Sequence, residues 1–250
     1  MTLEQDLIAL GLTPGEIVMV HASLRAVGGR AEDLIVALLA VLGEGGTLMA
    51  YVDYEPTAEV PDFDPVKSPA AISYGVLPEV IRRWDGAVRS LNPGASMAAI
   101  GARAHWLCRD HPLRYGYGPG SPLEKLVTAG GKVLLLGSDL DQVTLLHYAE
   151  HVACLPEKRQ LKYVVRSGAV DLEIEEFDTS EAVVPAMPAR YFEQVIREFV
   201  ATGAARTGKV GNACSHLLPA GELVRFAIEK LEREFGAPSK SDYVDRLNRT

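Results

Sequence analysis

The sequence predicts an α/β fold, a three-layer α/β/α sandwich around a mixed central sheet. Short apolar runs that read as strands alternate with helix-period segments along the chain, a pattern that stacks helices on a sheet. Residues 161–166 and 169–177 alternate around Ser167-Gly168 as a hairpin, which makes the sheet mixed rather than purely parallel. With 250 residues, no internal repeat and no clear linker, the chain reads as a single domain over residues 1–250.

Each element follows from local signals. Residues 2–10 read as a short amphipathic helix turned by Gly11-Leu-Thr-Pro-Gly15, and 17–20 as a strand ending at His21. Residues 32–42 form a helix closed by Gly43, and 47–52 a second strand ending at Asp53. Residues 55–69 hold four prolines and read as a long loop able to cover a site. Helix is expected at 75–84, loop at 88–94, strand at 97–100 and a short helix at 102–109. Residues 111–122, rich in Gly, Pro and Tyr, form another long loop. Val133-Leu-Leu-Leu136 is a buried strand broken at Gly137, and Asp141 is placed to cap a helix through about Cys154. After the hairpin come helices at 187–202 and 220–235, separated by a Gly-rich loop at 203–211. A polar tail begins at about residue 236.

Composition narrows the class. An apolar share of 48% and a charged share of 23% are those of a soluble enzyme. No apolar run approaches the ~20 residues a membrane span needs, and the acidic N-terminus lacks a signal-peptide pattern, so a cytoplasmic location is expected. Cys108, Cys154 and Cys214 are odd in number and widely spaced, as reduced thiols are. A net charge of −8 argues against nucleic acid and suits a cationic substrate.

The chemistry concentrates in Leu134-Leu-Leu-Gly-Ser-Asp-Leu-Asp-Gln-Val-Thr-Leu-Leu-His-Tyr-Ala-Glu-His151. On a helix His147 and Glu150 are i, i+3 neighbours, and a carboxylate beside an imidazole orients it as a general base. Wheel angles place His147, Glu150, His151 and Cys154 on one stripe, with Leu145, Ala149 and Val152 opposite. A solvated helix face is the plain alternative. So is zinc: His147-Tyr-Ala-Glu-His151 is an inverted zinc motif, a metallohydrolase reading that needs a third ligand, for which Glu222 is the candidate. The loop after His21 carries Ser23, Arg25, Gly28 and Gly29 without the spacing of a nucleotide motif. Asp53 sits at a strand end, where ligands of open α/β sheets gather. Glu175, Glu176 and Asp178 form an acidic knot at the end of the hairpin.

Together these strings resemble a known family. Val20-His-Ala-Ser-Leu-Arg-Ala-Val-Gly28, Arg89-Ser-Leu-Asn-Pro-Gly94, Gly118-Pro-Gly-Ser-Pro122, the segment from Leu134 to Glu150 and Ile174-Glu-Glu-Phe-Asp-Thr-Ser180 are similar, in order, to the aminoglycoside 3-N-acetyltransferases. That family is distinct from the GNAT acetyltransferases. It moves acetyl from acetyl-coenzyme A to the 3-amine of the deoxystreptamine ring and so confers resistance. The resemblance implies that His147 is the catalytic base, Glu150 its partner, and His21 a neighbour of the reaction centre. It implies that Ser23, Arg25, Val27, Gly28, Asn92, Ser121 and Pro122 cradle coenzyme A, and that Asp53, Glu176 and Asp178 hold ammonium groups of the drug. No metal is expected. Acetyl-coenzyme A and an aminoglycoside are the expected partners, with no nucleic acid or membrane, and the chain acts as a monomer or homodimer. Direct transfer in a ternary complex is favoured over an acyl-Cys154 scheme, with backbone N–H groups near Ser23 or Thr144 as oxyanion donors. A protein that only sequesters polycationic drugs is the non-enzymatic alternative.

Overall fold

The structure is a computed structural model that describes residues 2–156, 158–179 and 182–236. Helix α1 (Leu3–Leu10) is started by a capping box between Thr2 and Gln5 and stopped by left-handed Gly11. Strand β1 (Ile17–Ala22) leads through the single turn α2 (Leu24–Val27) to α3 (Ala31–Leu42) and β2 (Thr47–Tyr51). A long loop then precedes α4 (Val76–Arg82), β3 (Val88–Arg89), β4 (Met97–Gly101) and α5 (Ala104–Cys108). Helix α6 (Pro122–Thr128), strand β5 (Lys132–Leu136) and helix α7 (Leu145–Val152) follow. Next come a hairpin, β6 (Gln160–Ser167) and β7 (Val170–Phe177), and then α8 (Tyr191–Ala201), β8 (Arg206–Val210), β9 (Ala213–Pro219) and α9 (Ala220–Phe235).

Among the described residues, seven strands form one sheet in the order β3-β4-β2-β1-β5-β9-β8. Only β1 with β2 and β1 with β5 pair in parallel; β4, β3, β9 and β8 run antiparallel to their neighbours. Side-chain alternation builds the layers. Val18, Val20, Leu48 and Leu134 face α1, α3 and α4, whereas Ile17, Met19, Met49 and Val133 face α5 to α9. The result is the expected α/β/α sandwich with a mixed sheet.

Several elements differ from the sequence reading. The hairpin is a separate two-stranded sheet, so the mixed character comes from the flanking antiparallel strands instead. The supposed Gly-rich loop contains edge strand β8, with Gly208 under α1: a Cβ there would lie 3.2 Å from Leu10 Cδ1. Val88 and Arg89, read as loop, form a short edge strand, and α2 and α6 are additional. Helix α7 begins at Leu145 rather than at Asp141, whose Oδ1 accepts the Glu193 N–H instead. It ends before Pro156, which cannot continue a helix. Val152, expected on the packed face, is 41% exposed. Helix α8 starts only at Tyr191, after Pro188 and a left-handed Arg190. The tail beyond residue 236 lies outside the described residues.

This topology leaves the C-terminal ends of β1, β2 and β5 side by side. Ala22 pairs with Leu136, and Ser23 N–H donates to the Leu136 carbonyl at 3.0 Å. Gly137 ends β5 in a left-handed turn beneath Ala26 and Ala213, too close for a side chain. The strand ends therefore open into one cleft.

Candidate active site

A cleft of about 640 Å³ lies over those strand ends, between α7, α8 and the hairpin. That volume is typical of small-molecule sites. His21, Ser23, Asp53, His147, Glu150 and Glu176 all line it, although they are spread over more than half of the chain.

Helix α7 supplies the central pair. Leu145, Leu146 and Ala149 are buried in the core and fix the rotation of the helix, which turns His147 to the cleft. His147 Nδ1 lies 2.8 Å from Glu150 Oε2, with the two side chains 21% and 4% exposed. The imidazole is held between the rings of Tyr117 and Phe192, at 5.1 and 4.9 Å. With Nδ1 donating to the carboxylate, Nε2 keeps the lone pair a base requires. On the next strand end, burial lowers the His21 imidazole to about 4, so the ring is neutral near pH 7. Its Nε2 is buried with no hydrogen-bond partner among the described residues.

The opposite wall is acidic and aromatic. Asp53 follows β2, and burial raises its carboxyl to about 6 although Oδ1 accepts the Tyr54 N–H at 2.8 Å. Tyr51 and Tyr117 share a 2.6 Å hydroxyl contact beside it, and burial pushes both phenols well above their usual range. Tyr74 packs edge-on against Tyr51, and Tyr163 reaches from the hairpin over Gly94. Glu176 faces the cleft from β7, accepting the Phe177 N–H at 2.7 Å and the Tyr117 N–H at 3.2 Å. At the rim, Arg190 grips Asp139 at 2.7 and 3.1 Å, which pins the β5–α7 loop to α8 and holds the Asp139 carboxyl low.

Other residues singled out by the sequence are not brought to the cleft. Arg25 is exposed on α2, Gly28 is a left-handed turn against Asn212, and Val27 is buried in the core. Asn92 is buried as a brace: Nδ2 donates to the Pro112 carbonyl at 2.6 Å, and Oδ1 accepts the Gly94 N–H at 2.9 Å. Ser121 caps α6, with Pro122 at its first turn. The Asp178 N–H donates to the Arg159 carbonyl, and the residue is outside the cleft lining. Glu175 faces away from the cleft toward Tyr115 and Lys162. Cys154 does not line the cleft, which removes the geometric basis for an acyl-cysteine.

The inverted zinc motif is not assembled for a metal. His147 turns to Glu150, whereas His151 turns to Glu176, and among the described residues no three His, Cys, Asp or Glu side chains converge as a metal site needs. Sequence reasoning missed Tyr51, Tyr74, Tyr117, Tyr163 and Arg190. The Tyr-rich loop at 111–122 was the available signal for Tyr117; the others look like core or surface residues until the chain is folded.

Comparison with known proteins places the chain as a whole. Residues 19–232 match the family model described as aminoglycoside 3-N-acetyltransferase. The chain is 42% identical to aminoglycoside N(3)-acetyltransferase VII of Streptomyces paromomycinus over 94% of its own length and 91% of that protein. It is 40% identical to aminoglycoside N(3)-acetyltransferase III of Pseudomonas aeruginosa over 91% of each. A solved structure of AAC-IIIb in binary complex with CoASH superposes with a TM-score of 0.91 at 45% identity, covering 95% of this chain and 97% of that one. An imidazole–carboxylate pair facing an acidic wall thus sits within a chain that matches these acetyltransferases nearly end to end, and the chain belongs to the aminoglycoside 3-N-acetyltransferase family.

Proposed function

We propose that this chain transfers acetyl from acetyl-coenzyme A to the 3-amine of the deoxystreptamine ring of aminoglycosides, and so confers resistance to them. The observation that carries the reading is the His147–Glu150 pair on a cleft whose other wall bears Asp53 and Glu176. Ammonium groups of the drug meet those carboxylates, where exclusion of water strengthens the attraction. The acyl donor enters past Ser23 and the exposed Arg25, with His21 beside the thioester. Asp178 is read as an outer member of the acidic wall. Val27, Gly28, Asn92, Ser121 and Pro122 shape the donor side by holding its loops.

Transfer is direct. His147 Nε2 takes a proton from the 3-amine as its nitrogen attacks the thioester carbonyl carbon. The N–C bond forms, the C–S bond breaks, and the coenzyme A thiolate leaves and takes up the proton held by the imidazolium. Glu150 keeps the ring in the useful tautomer and stabilises its charge. Because the Ser23 N–H is already given to Leu136, the turn at Thr144 is the better source of oxyanion donors.

The same reading makes residues 1–250 one catalytic unit, working in the cytoplasm as a monomer or homodimer without nucleic-acid or membrane partners. No helix among the described residues is long and apolar enough to cross a membrane. Thiol release from acetyl-coenzyme A, screened over 4,5- and 4,6-disubstituted aminoglycosides and apramycin, tests the activity, and NMR of the product locates the acetyl group. Acetyl on N3 is expected. Thiol release with none of these drugs, or acetylation of another amine, overturns the proposal.

A further inference from the structure

Strand alternation turns one face of the hairpin toward the cleft. Leu161, Tyr163 and Val165 of β6 stand opposite Glu176, Ile174 and Leu172 of β7, whereas Lys162 and Glu175 pair on the other face at 3.3 Å. Ile174 is buried and Glu176 lies in the cleft wall, so Tyr163 on the same face also lines the cleft. Tyr51 and Tyr117 are 7% and 4% exposed and turn their hydroxyls to each other. Tyr163 is 40% exposed, and its hydroxyl makes no hydrogen bond among the described residues. We propose that Tyr163 binds the substrate: its ring and hydroxyl form a third side of the drug subsite bounded by Asp53 and Glu176. This rests on those two carboxylates meeting ammonium groups of the drug.

The side chain crosses from the hairpin to the loop between β3 and β4. A Cβ on Gly94 would collide with the Tyr163 hydroxyl oxygen and stand 3.2 Å from its Cζ. The Gly94 backbone does not fall in the left-handed region, so room for this phenol accounts for the glycine. Gly94 is itself held in place: its N–H donates to Asn92 Oδ1 at 2.9 Å, and its carbonyl accepts the Tyr117 hydroxyl at 3.1 Å. Burial first, and then the negative charges of Asp53 and Glu176, push the Tyr163 phenol up to about 12. The phenol therefore stays protonated near pH 7 and lies within the field of both carboxylates. One hydroxyl can accept a hydrogen bond from an ammonium while donating to a carboxylate or a sugar oxygen. Tyr74, also 40% exposed, lines the cleft from the turn before α4. A cationic amino sugar beside these rings gains an attraction that a neutral sugar does not.

Steady-state kinetics of the whole protein with a good aminoglycoside, together with urea unfolding, test this on Tyr163→Phe, Tyr163→Leu, Gly94→Ala and Asp53→Asn. Tyr163→Phe should raise the drug KM about fivefold, the scale of one hydrogen bond. Tyr163→Leu, which also loses the ring, should raise it about twentyfold. The acetyl-coenzyme A KM should stay unchanged, and the loss should lie in KM rather than kcat, because His147 is untouched. Tyr163→Phe should keep the urea midpoint of the wild type, since it breaks no hydrogen bond among the described residues. Gly94→Ala should raise the drug KM of the wild type but add little to Tyr163→Phe, as two changes acting through one contact do. A drug KM raised by Asp53→Asn but by neither Tyr163 variant overturns the proposal and leaves the acidic subsite standing. A drug KM raised by Leu but not by Phe overturns the part given to the hydroxyl. Joint losses in stability and in both KM values for Tyr163→Phe would show that the residue serves only the fold. Wild-type protein that releases no thiol with any drug fails the acetyltransferase reading itself, before any variant is made.

Discussion

The His147–Glu150 contact joins residues three apart on one helix, and so it was legible in the sequence. His147→Ala should lower kcat about 10²–10⁴-fold with the acetyl-coenzyme A KM little changed, the usual contribution of a general base. Glu150→Gln should cost less, because an amide oxygen still accepts the Nδ1 proton while the charge is lost. Stopped-flow or steady-state thiol release checks both, and near-normal turnover by a folded His147→Ala protein would remove the assignment. Asp53 adds a pH signature. With its carboxyl raised to about 6, it is charged above that pH and neutral below. The drug KM of the wild type should therefore rise between pH 7 and 5, and Asp53→Asn should flatten that part of the profile. An identical profile in both proteins would exclude Asp53 from drug binding. The tyrosines around Asp53 were not legible: Tyr51 and Tyr117 meet across 66 residues, and no local pattern reports such a contact.

At the scale of elements, local signals served well where hydrogen bonds are local and poorly where a partner strand decides. The amphipathic period of α1 with its stop at Gly11 and the alternation in the hairpin are visible in the chain. Strand β8 is not, because Arg206-Thr-Gly-Lys-Val210 gains its order from pairing with β9. Nor could the sequence separate the hairpin from the main sheet, since its alternation suits either place. Folded, that hairpin is tied to the Pro-rich loop: Phe63 N–H donates to the Arg166 carbonyl, and Ser167 Oγ donates to the Phe63 carbonyl. Arg89 fastens the same loop from below, donating to the Ser68 and Val52 carbonyls and to Ser96 Oγ, with its guanidinium over the Phe63 ring. The long loop is therefore held against the hairpin and Arg89, and none of residues 55–69 lines the cleft, so the expected cover over the site is not what the loop forms. Arg89→Lys keeps the charge but cannot span all these acceptors. It should lower stability by about 1–3 kcal/mol in urea unfolding and raise the drug KM more than that for acetyl-coenzyme A. Unaltered stability would mean that the loop is held by its other contacts.

At the scale of the whole molecule, acid stability follows from which histidines the fold keeps neutral. Burial lowers both His21 and His111 to about 4. His111 is further committed: Nδ1 contacts Ser90 Oγ at 2.8 Å, and Nε2 contacts the Gly116 carbonyl at 2.7 Å, joining two loops beneath the cleft. An unfolded chain protonates such a histidine near 6.5, whereas the native one resists until about 4. Between these limits the unfolded state binds more protons, so stability present above pH 6.5 is lost as pH falls toward 4. Asp53 works the other way. Its native carboxyl takes up a proton near 6 and its unfolded one near 3.8, which favours the fold on acidification and offsets one histidine in part. The two buried histidines should still dominate over that window. We expect urea midpoints to fall from pH 7 to 4.5, and His111→Asn to be less stable at pH 7 but less sensitive to pH. Its slope should drop by up to about 1.4 kcal/mol per pH unit, the linkage of one proton. Parallel slopes for the wild type and His111→Asn would mean that His111 does not remain neutral in the fold, and that the acid sensitivity lies with His21 and the carboxylates.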